Sequence, residues 1–459
     1  MHFIFSSMLK ILENTFFEKL IVFLLPVSFL LGFKKEIFSF DLGASEYSKI
    51  FFYPSSLIIF LFIVFCLLKF GKNLKDFILR NKTSLYFLKA FLFFILISVF
   101  LSQNFYLSTS VFIRLAFQII FSLSLALYFF LARTSYRRFF SSLFFWGFFE
   151  SLIGIYQFML QKSVGLRFLG EAIIAPFLKG IGKVDFLTTK LVRSYGTFPH
   201  PNILSAFLLV SLISGFYLWI SERSSFNNTT VTGLIKRYIL FIVPIFSIIL
   251  AIFLSFSRSA WLATILFPLI FVIYQFTHQT SKIESKKIFQ FIAIMCLSGL
   301  ITVLIFKPLT TNRLNVSYAD PAVNLRLTYS KIGIEIIKNN FFGVGLGNQI
   351  NYSISNGVFK KFGLNEIWQY EPIHNIYLLI ASEVGILSLV FILCFILITI
   401  SKIKSLLFNL IIATPILILM FLGVFDHFLW DIWQGQLLFW ASIGLVWGFN
   451  PSIQEDKNT

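Results

Sequence analysis

An all-α integral membrane protein is the fold class this sequence predicts, and three observations carry that reading. Of 459 residues, 58% are hydrophobic and only 13% are charged, where a soluble domain carries about 25% charged residues. Mean hydropathy is +0.86. Apolar runs long enough to cross a bilayer, roughly 20 residues each, recur along the whole length. The chain reads as a single polytopic domain over 1–459, with about twelve spans and no large soluble domain. The 63 Phe residues are lipid-facing bulk and say nothing about ligands.

The first span covers 17–33. It lacks a small-residue cleavage site and reads as a membrane helix rather than a signal peptide. Spans follow at 52–70, 83–101, 110–132 and 139–161. A long loop, 162–200, comes next. In it, residues 165–191 alternate apolar patches with Gly and Lys, which predicts short helices lying in the interface. Pro201 suits the first turn of the span 201–220, with His200 near its N-cap. Spans 238–255 and 259–277 meet around Arg258 with almost no linker. After 288–306 a second long loop runs over 307–374. Residues 322–340 predict an amphipathic helix there, because Leu325, Tyr329, Ile332 and Ile336 recur at helical spacing with Arg326, Lys331 and Glu335 elsewhere. Asp320-Pro321 before it and Asn339-Asn340 after it are its end signals. The run from Phe342 to Asn348 resembles a nucleotide loop, but it lacks the Lys-Ser/Thr of a phosphate loop and follows a helix. It reads as a turn in which Gly caps that helix. Spans 375–398, 405–424 and 434–449 complete the set, and the tail 450–459 reads as disordered.

Net charge is +18, yet the basic residues follow the membrane rather than a nucleic acid. With the N-terminus inside, inner loops 69–82, 133–138, 221–237, 278–287 and 402–404 hold 16 Lys and Arg. The short outer loops 34–51, 102–109, 255–258 and 425–433 hold Lys34, Lys35, Lys49 and Arg258. That bias predicts both termini on the cytoplasmic side and loops 162–200 and 307–374 outside. The long loops are basic as well. Their cations serve either to touch lipid headgroups or to attract a diphosphate-bearing lipid. Cys66, Cys296 and Cys394 all fall inside predicted spans, with no disulfide or metal spacing.

Arg193, His200, Arg258, His374, Asp426, His427 and Asp431 all fall at helix ends on the predicted outer side. Ionisable groups at such depth are expensive, so they are a functional hypothesis by default. Arg193 is either an interfacial arginine on lipid phosphate or part of a diphosphate clamp, for which the planar guanidinium fork is suited. His200 is either a phosphate donor or a cap, and Asn202 follows it. Arg258, ringed by Ser255, Ser257 and Ser259, is either a snorkelling arginine or part of a polar pocket. His374, beside Glu371 and Asn375, suits proton transfer because imidazole titrates near neutrality. Glu383 lies nine residues on, roughly 13 Å deeper at ~1.5 Å per residue, and its plain role, like that of Glu150, is pairing with an arginine or tuning the helix bundle. Asp426, His427 and Asp431 fit no metal motif and read better as sugar or acceptor contacts, with Trp430 and Trp433 beside them.

Taken together, these peptides resemble the O-antigen ligase and O-antigen polymerase superfamily. The resemblance spans about 130–445 and rests on Tyr156-Gln157, Arg193 with Gly196-Thr197-Phe198, His200-Pro201-Asn202, Ser257-Arg258-Ser259-Ala260-Trp261, Arg326, Gly343 to Asn348, His374-Asn375, Glu383-Val384-Gly385 and Asp426-His427, in that order. It implies a multi-span glycosyltransferase fold (GT-C-like) in the cytoplasmic membrane, acting on the extracytoplasmic face. A glycan on polyprenyl (undecaprenyl) diphosphate would be the donor, a lipid- or glycan-type hydroxyl the acceptor, and neither metal nor nucleotide a cofactor. The resemblance casts His374 as the base, and Arg193, Arg258 and Arg326 as the diphosphate holders. His200, Asn202, Gln157, Asp426 and His427 fall among the substrate contacts, with Asn375 and Glu383 in support. Ligases onto lipopolysaccharide core, chain polymerases and protein O-glycosyl ligases share these motifs, so the sequence leaves the acceptor open. A glycolipid transporter is the rival from another class. It would place ionisable groups near the midplane and along both vestibules, whereas here they crowd one face.

Overall fold

The computed structural model describes residues 15–40, 46–131, 135–186, 189–222, 231–278, 281–314, 321–403 and 407–450. Side chains of 231–238 and 321–322 fall outside the description, as do the expected cap Asp320 and the tail 451–459. The first predicted span becomes α1 (Thr15–Leu24) and α2 (Val27–Leu30). They are divided at Pro26, which has no N–H to give to a helical turn. A hairpin of β1 (Lys35–Ser39) and β2 (Lys49–Phe52) follows, with Lys35 opposite Phe52 and Ser39 opposite Lys49. Next come α3 (Ser56–Phe70), α4 (Leu74–Arg80), α5 (Lys82–Phe100), α6 (Phe105–Leu131) and α7 (Ser135–Leu160).

The loop predicted to carry interfacial helices departs from that expectation. Apart from a single turn at Arg167–Leu169, its regular structure is a hairpin of β3 (Lys183–Phe186) and β4 (Thr189–Val192). Gly170 at φ +94° and Gly180 at φ +78° stop any helix from continuing. The strand residues then alternate with a period of two, with Lys183 opposite Val192 and Val184 opposite Leu191. After the loop come α8 (Pro201–Ser221), α9 (Val231–Leu254), α10 (Arg258–Thr277) and α11 (Lys282–Ile305). The second long loop contains α12 (Lys307–Leu314), α13 (Pro321–Asn339), α14 (Gln349–Ser355) and α15 (Val358–Lys361). Here the periodicity is realised: Tyr329, Ile332 and Ile336 of α13 are buried, and Leu325 packs against them.

The predicted span 375–398 is broken into α16 (Ile376–Val384) and α17 (Ile386–Ser401) at Gly385. Its φ of +85° with ψ of 158° is a backbone region essentially reserved for glycine. The turn Gly343–Gly347 docks onto this break, with Val344 N–H donating to Ser382 O and Gly345 N–H to Glu383 O, both at 2.9 Å. A Cβ at Gly343 would lie 2.3 Å from the Glu383 carbonyl oxygen. Gly343 N–H also bonds Asn340 O behind α13, so the glycines both end that helix and permit close approach to the next. The chain closes with α18 (Leu407–Gly423), α19 (Phe428–Asp431) and α20 (Trp433–Trp447).

Among the described residues, seven segments are long and apolar enough to cross a membrane: Ser56–Arg80, Lys82–Phe100, Phe105–Leu131, Ser135–Leu160, Pro201–Ser221, Arg258–Thr277 and Lys282–Ile305. Ile239–Leu254, Ile386–Ser401 and Leu407–Gly423 are apolar but shorter. The expected spans 17–33 and 434–449 correspond to the divided α1–α2 and to α20. Packing sorts these helices. In α8, 89% of the apolar window is buried, against 28% in α10 and α11, and α20 is buried at every residue. A helix buried all round is a core element, and α8 sits among α7, α9, α10, α11, α18 and α20. Outer helices expose Phe100, Tyr106, Phe276 and Leu304, the surface expected to face lipid.

Candidate active site

At one end of the bundle the connections around 193–200, 255–258, 306–314, 371–375 and 424–432 come together. The peptide 193–200 is bolted to α7. The Ser194 hydroxyl donates to Gly154 O at 2.8 Å. Gln157 accepts from the amides of Tyr195 and Gly196 and donates to Gly196 O and to Glu171. Glu150 accepts from Thr197 N–H at 3.0 Å and from the Thr197 hydroxyl at 2.9 Å. Gln157 therefore spends both ends of its amide inside the protein and positions the arginine-bearing loop. Glu150 is buried and has Thr197, not an arginine, as its partner.

Arg193 is buried, 7% exposed. Its Nε–H donates to Ser255 O, and Nη2 donates to Asn202 Oδ1 at 2.7 Å. Burial pushes its guanidinium down to about 9, helped by the nearby Arg313, so it is still charged at neutral pH. Arg258 opens α10 and donates from Nε to Arg313 O at 2.9 Å, while Arg313 Nε–H donates to Phe256 O at 3.1 Å. The 255–258 turn thus carries three arginines. Phe256 within it takes φ +47°, a left-handed conformation that is uncommon outside glycine. Arg313 is a site residue that the sequence reading passed over as one more loop cation. Its only signal is its place in the last turn of the short α12.

Asn202 joins the cations to a carboxylate. Its Nδ2 donates to Asp426 Oδ2, and Arg326 Nη2 lies 4.0 Å from the same oxygen. Asp426 Oδ1 accepts His427 N–H at 2.8 Å. Burial opposes the ionised form of Asp426, but His427, His374 and Arg326 outweigh it and hold the carboxyl well below its usual range. His427 Nδ1 contacts Asp431 Oδ2 at 2.7 Å, and its Nε2 lies 3.9 Å from Asp426 Oδ1. Burial favours the neutral ring, yet the Asp431 carboxylate wins and raises His427 to about 9. His427 is therefore an imidazolium at neutral pH, braced between two carboxylates. Among the described residues no three acidic, His or Cys side chains are placed to hold a metal ion together.

His374 lies against this pair. Its ring stacks on Tyr329 of α13, with centroids 5.2 Å apart and planes at 11°, and meets the edge of His427 at 4.8 Å and 72°. Pro372 O is 2.8 Å from Nδ1. The Nδ1–H tautomer that makes this bond leaves the lone pair on Nε2. Burial, then repulsion from His427, lowers His374 to about 3, so the ring is neutral. A nearby anion would raise it back toward neutrality, since an opposite charge favours the protonated form. Asn375 fixes the approach, because its Oδ1 caps α16 by accepting from Tyr377 and Leu378 amides, and Nδ2 holds Val424 O at 3.1 Å. His200 accepts Asn202 N–H on Nδ1 at 3.2 Å, so the cap is real, and Nε2–H is left as a donor. Burial and Arg193 lower His200 to about 3.

Of the expected site residues, Arg193, Asn202, His374, Asp426 and His427 form one hydrogen-bonded and ring-stacked group, with Arg326 at its margin and Arg258 linked through Arg313. Glu383 accepts from Trp430 Nε1 at 2.8 Å. Glu371 also stays off His374, with Tyr47 as its hydroxyl partner at 3.4 Å. Ser257 and Ser259 bond each other at 3.3 Å, and Ser255 bonds back to its own helix at Ile252 O, so their hydroxyls stabilise the turn.

Residues 243–393 match the O-antigen ligase family model. The match takes in Arg258, Arg313, Arg326, His374 and Glu383, and it supports the superfamily to which the motifs point. No curated protein matches the chain. The apolar helices describe a multi-pass membrane protein, of which residues 243–393 are similar to the O-antigen ligase family.

Proposed function

We propose that this protein transfers a glycan from a polyprenyl diphosphate to an acceptor hydroxyl, without metal or nucleotide, on the extracytoplasmic side of the cytoplasmic membrane. One observation carries the reading. Arg193 is joined through Asn202 to the carboxylate of Asp426, and Arg326 lies 4.0 Å from that carboxylate; Arg258 and Arg313 meet Arg193 at the 255–258 turn, and the neutral His374, with its lone pair on Nε2, stands beside them. Arg193, buried and held by a carbonyl and an amide, keeps its charge and calls for an anion, and guanidinium forks match diphosphate oxygens.

The chemistry follows from the positions. The arginines and His200 Nε2–H hold the donor diphosphate. The acceptor hydroxyl gives its proton to His374 Nε2, and its oxygen attacks the anomeric carbon. The carbon–oxygen bond to phosphate breaks, and polyprenyl diphosphate leaves with the electron pair. Its growing charge is stabilised by arginines already in place, which is where such sites gain most. Pro372 O steadies the imidazolium through Nδ1–H, and Tyr329 and His427 fix the ring plane. Ligation to a lipid core, chain polymerisation and protein glycosylation use the same step and differ in the acceptor.

The test is transfer by purified protein given a polyprenyl-diphosphate glycan and candidate acceptors, with a chelator present. Transfer that persists under chelation and is lost in His374→Ala supports the reading. Donor movement across vesicles without any glycan transfer would favour a transporter instead.

A further inference from the structure

A cavity lined by residues other than Arg193, Arg258, Arg313 and Arg326 adjoins the site. Its volume is about 150 Å³, the room of about five water molecules at ~30 Å³ each, which suits one sugar ring and not a chain. Pro199, Pro372 and Asp431 form the wall it shares with the site. Pro372 is the residue whose carbonyl holds His374, and Asp431 is the carboxylate that holds His427 Nδ1. The two nitrogens of His427 thus divide the region. Nε2 looks toward Asp426, Asn202 and Arg193, while Nδ1 looks toward Asp431 and the cavity.

Two polar groups in its wall lack partners among the described residues. Gln349 of α14 is 1% exposed, and its Oε1 has no hydrogen bond; Arg114 of α6 likewise has an unpartnered buried Nε, although its Nη2 donates to Asp431 O at 3.2 Å. A buried amide oxygen and a guanidinium Nε–H left unmatched are costly unless something supplies the missing bonds. The opposite wall is the β1–β2 hairpin and the residues after it. It brings Phe51 and Tyr53, the latter stacked on Trp433 at 4.7 Å and 9°. Acceptor and donor groups set against aromatic faces suit a ring that presents hydroxyls at its edge and C–H bonds on its face.

We infer that this cavity is a saccharide subsite for the acceptor, which it delivers to His374. The assignment to the acceptor rests on the proposed glycosyl transfer, whereas the assignment to a sugar rests on the cavity alone. Saturation-transfer NMR on the full chain in lipid nanodiscs tests it, with methyl glycosides of a hexose, an N-acetylhexosamine and a hexuronic acid as probes. At least one probe should bind at millimolar concentration. Arg114→Gln and Gln349→Leu, on different helices so that one folding failure does not end the test, should each weaken it about 10-fold or more. Arg193→Lys should leave it unchanged, and excess lipid-linked donor should not displace the probe. Absence of binding by every probe overturns the subsite. Displacement by the donor, or loss in Arg193→Lys, overturns the acceptor assignment by placing the sugar on the donor side. Probe binding without donor turnover would instead count against glycosyl transfer and leave the sugar site standing.

Discussion

Both ends of this helix bundle bring cations to a buried carboxylate, and they do opposite things with them. At the end formed by α1, α3 and the start of α7, Glu18 is met by Lys69 at 2.6 Å, by Arg138 and by the Tyr128 hydroxyl at 3.1 Å. In the predicted inner loop 278–287, Lys287 spends its ammonium on the carbonyls of Ile220 and Glu222. Each charge there finds its partners within the protein. At the other end Asp426 is shared among Asn202, His427 and Arg326, while Arg193 is held by a carbonyl and an amide and is repelled by Arg313. A carbonyl partner orients a guanidinium without cancelling its charge. The first arrangement is closed and serves the fold, whereas the second is a field waiting for an anion.

The comparison can be broken most sharply at His374. His374→Ala should reduce transfer 10²–10⁴-fold, the usual contribution of a general base, with donor binding and protein yield near normal. Near wild-type transfer would remove the base. Arg313→Ala and Arg193→Lys should come next, at about 10²–10³-fold for lost transition-state donors. Lysine keeps the charge of Arg193 but cannot reach Ser255 O and Asn202 together. Arg258→Lys should also fail to restore full activity. Equal rates in Arg258→Lys, Arg258→Ala and wild type would detach that residue from the clamp.

At the closed end the same kind of change should leave chemistry alone. Glu18→Gln should cost about 1–3 kcal/mol of stability, read as a lower midpoint of thermal unfolding in detergent, with transfer below the transition within about twofold, on the scale of a few tenths of a kcal/mol. A large loss of transfer in the folded variant would erase the contrast between the ends. The smallest effect concerns pH. His427 stands near 9 in the folded protein against 6.5 for a free imidazole. Its stabilisation is therefore complete below about 6.5 and is lost as pH rises through about 9. The gap in thermal midpoint between wild type and His427→Gln should accordingly narrow from pH 6 to pH 10. A constant gap would mean that the ring is uncharged.

Much of this was legible in residue order. Pro201 after His200 announced a capped helix start, and the structure has it. The spacing of Leu325, Tyr329, Ile332 and Ile336 announced α13. Placing Arg193, His374 and Asp426 at helix ends of one predicted face was enough to suggest a shared site. Other features were not legible, for reasons that are local and physical. The β3–β4 hairpin hid in a stretch whose apolar residues suit an interfacial helix equally well, and two left-handed glycines decided between them. Arg313 looked like any loop cation, because nothing in its neighbours says that α12 folds back onto the 255–258 turn. Gln157 and Glu150 read as polar residues inside spans, and only the approach of the 193–200 peptide revealed them as its anchors.

By itself the sequence determined the class of molecule. Composition, apolar run length and the distribution of Lys and Arg are one-dimensional quantities, and a bilayer responds to them directly. It also determined which residues were too costly to bury idly. Tertiary structure alone decided who meets whom. His374 stacks on a tyrosine 45 positions earlier and meets a histidine 53 positions later, and the cavity beside them is walled by residues from the hairpin, α6 and α14. Such contacts arise from helices packed side by side across large separations in the chain. No local pattern encodes that distance, because each partner satisfies its own helix's requirements whether or not the other arrives.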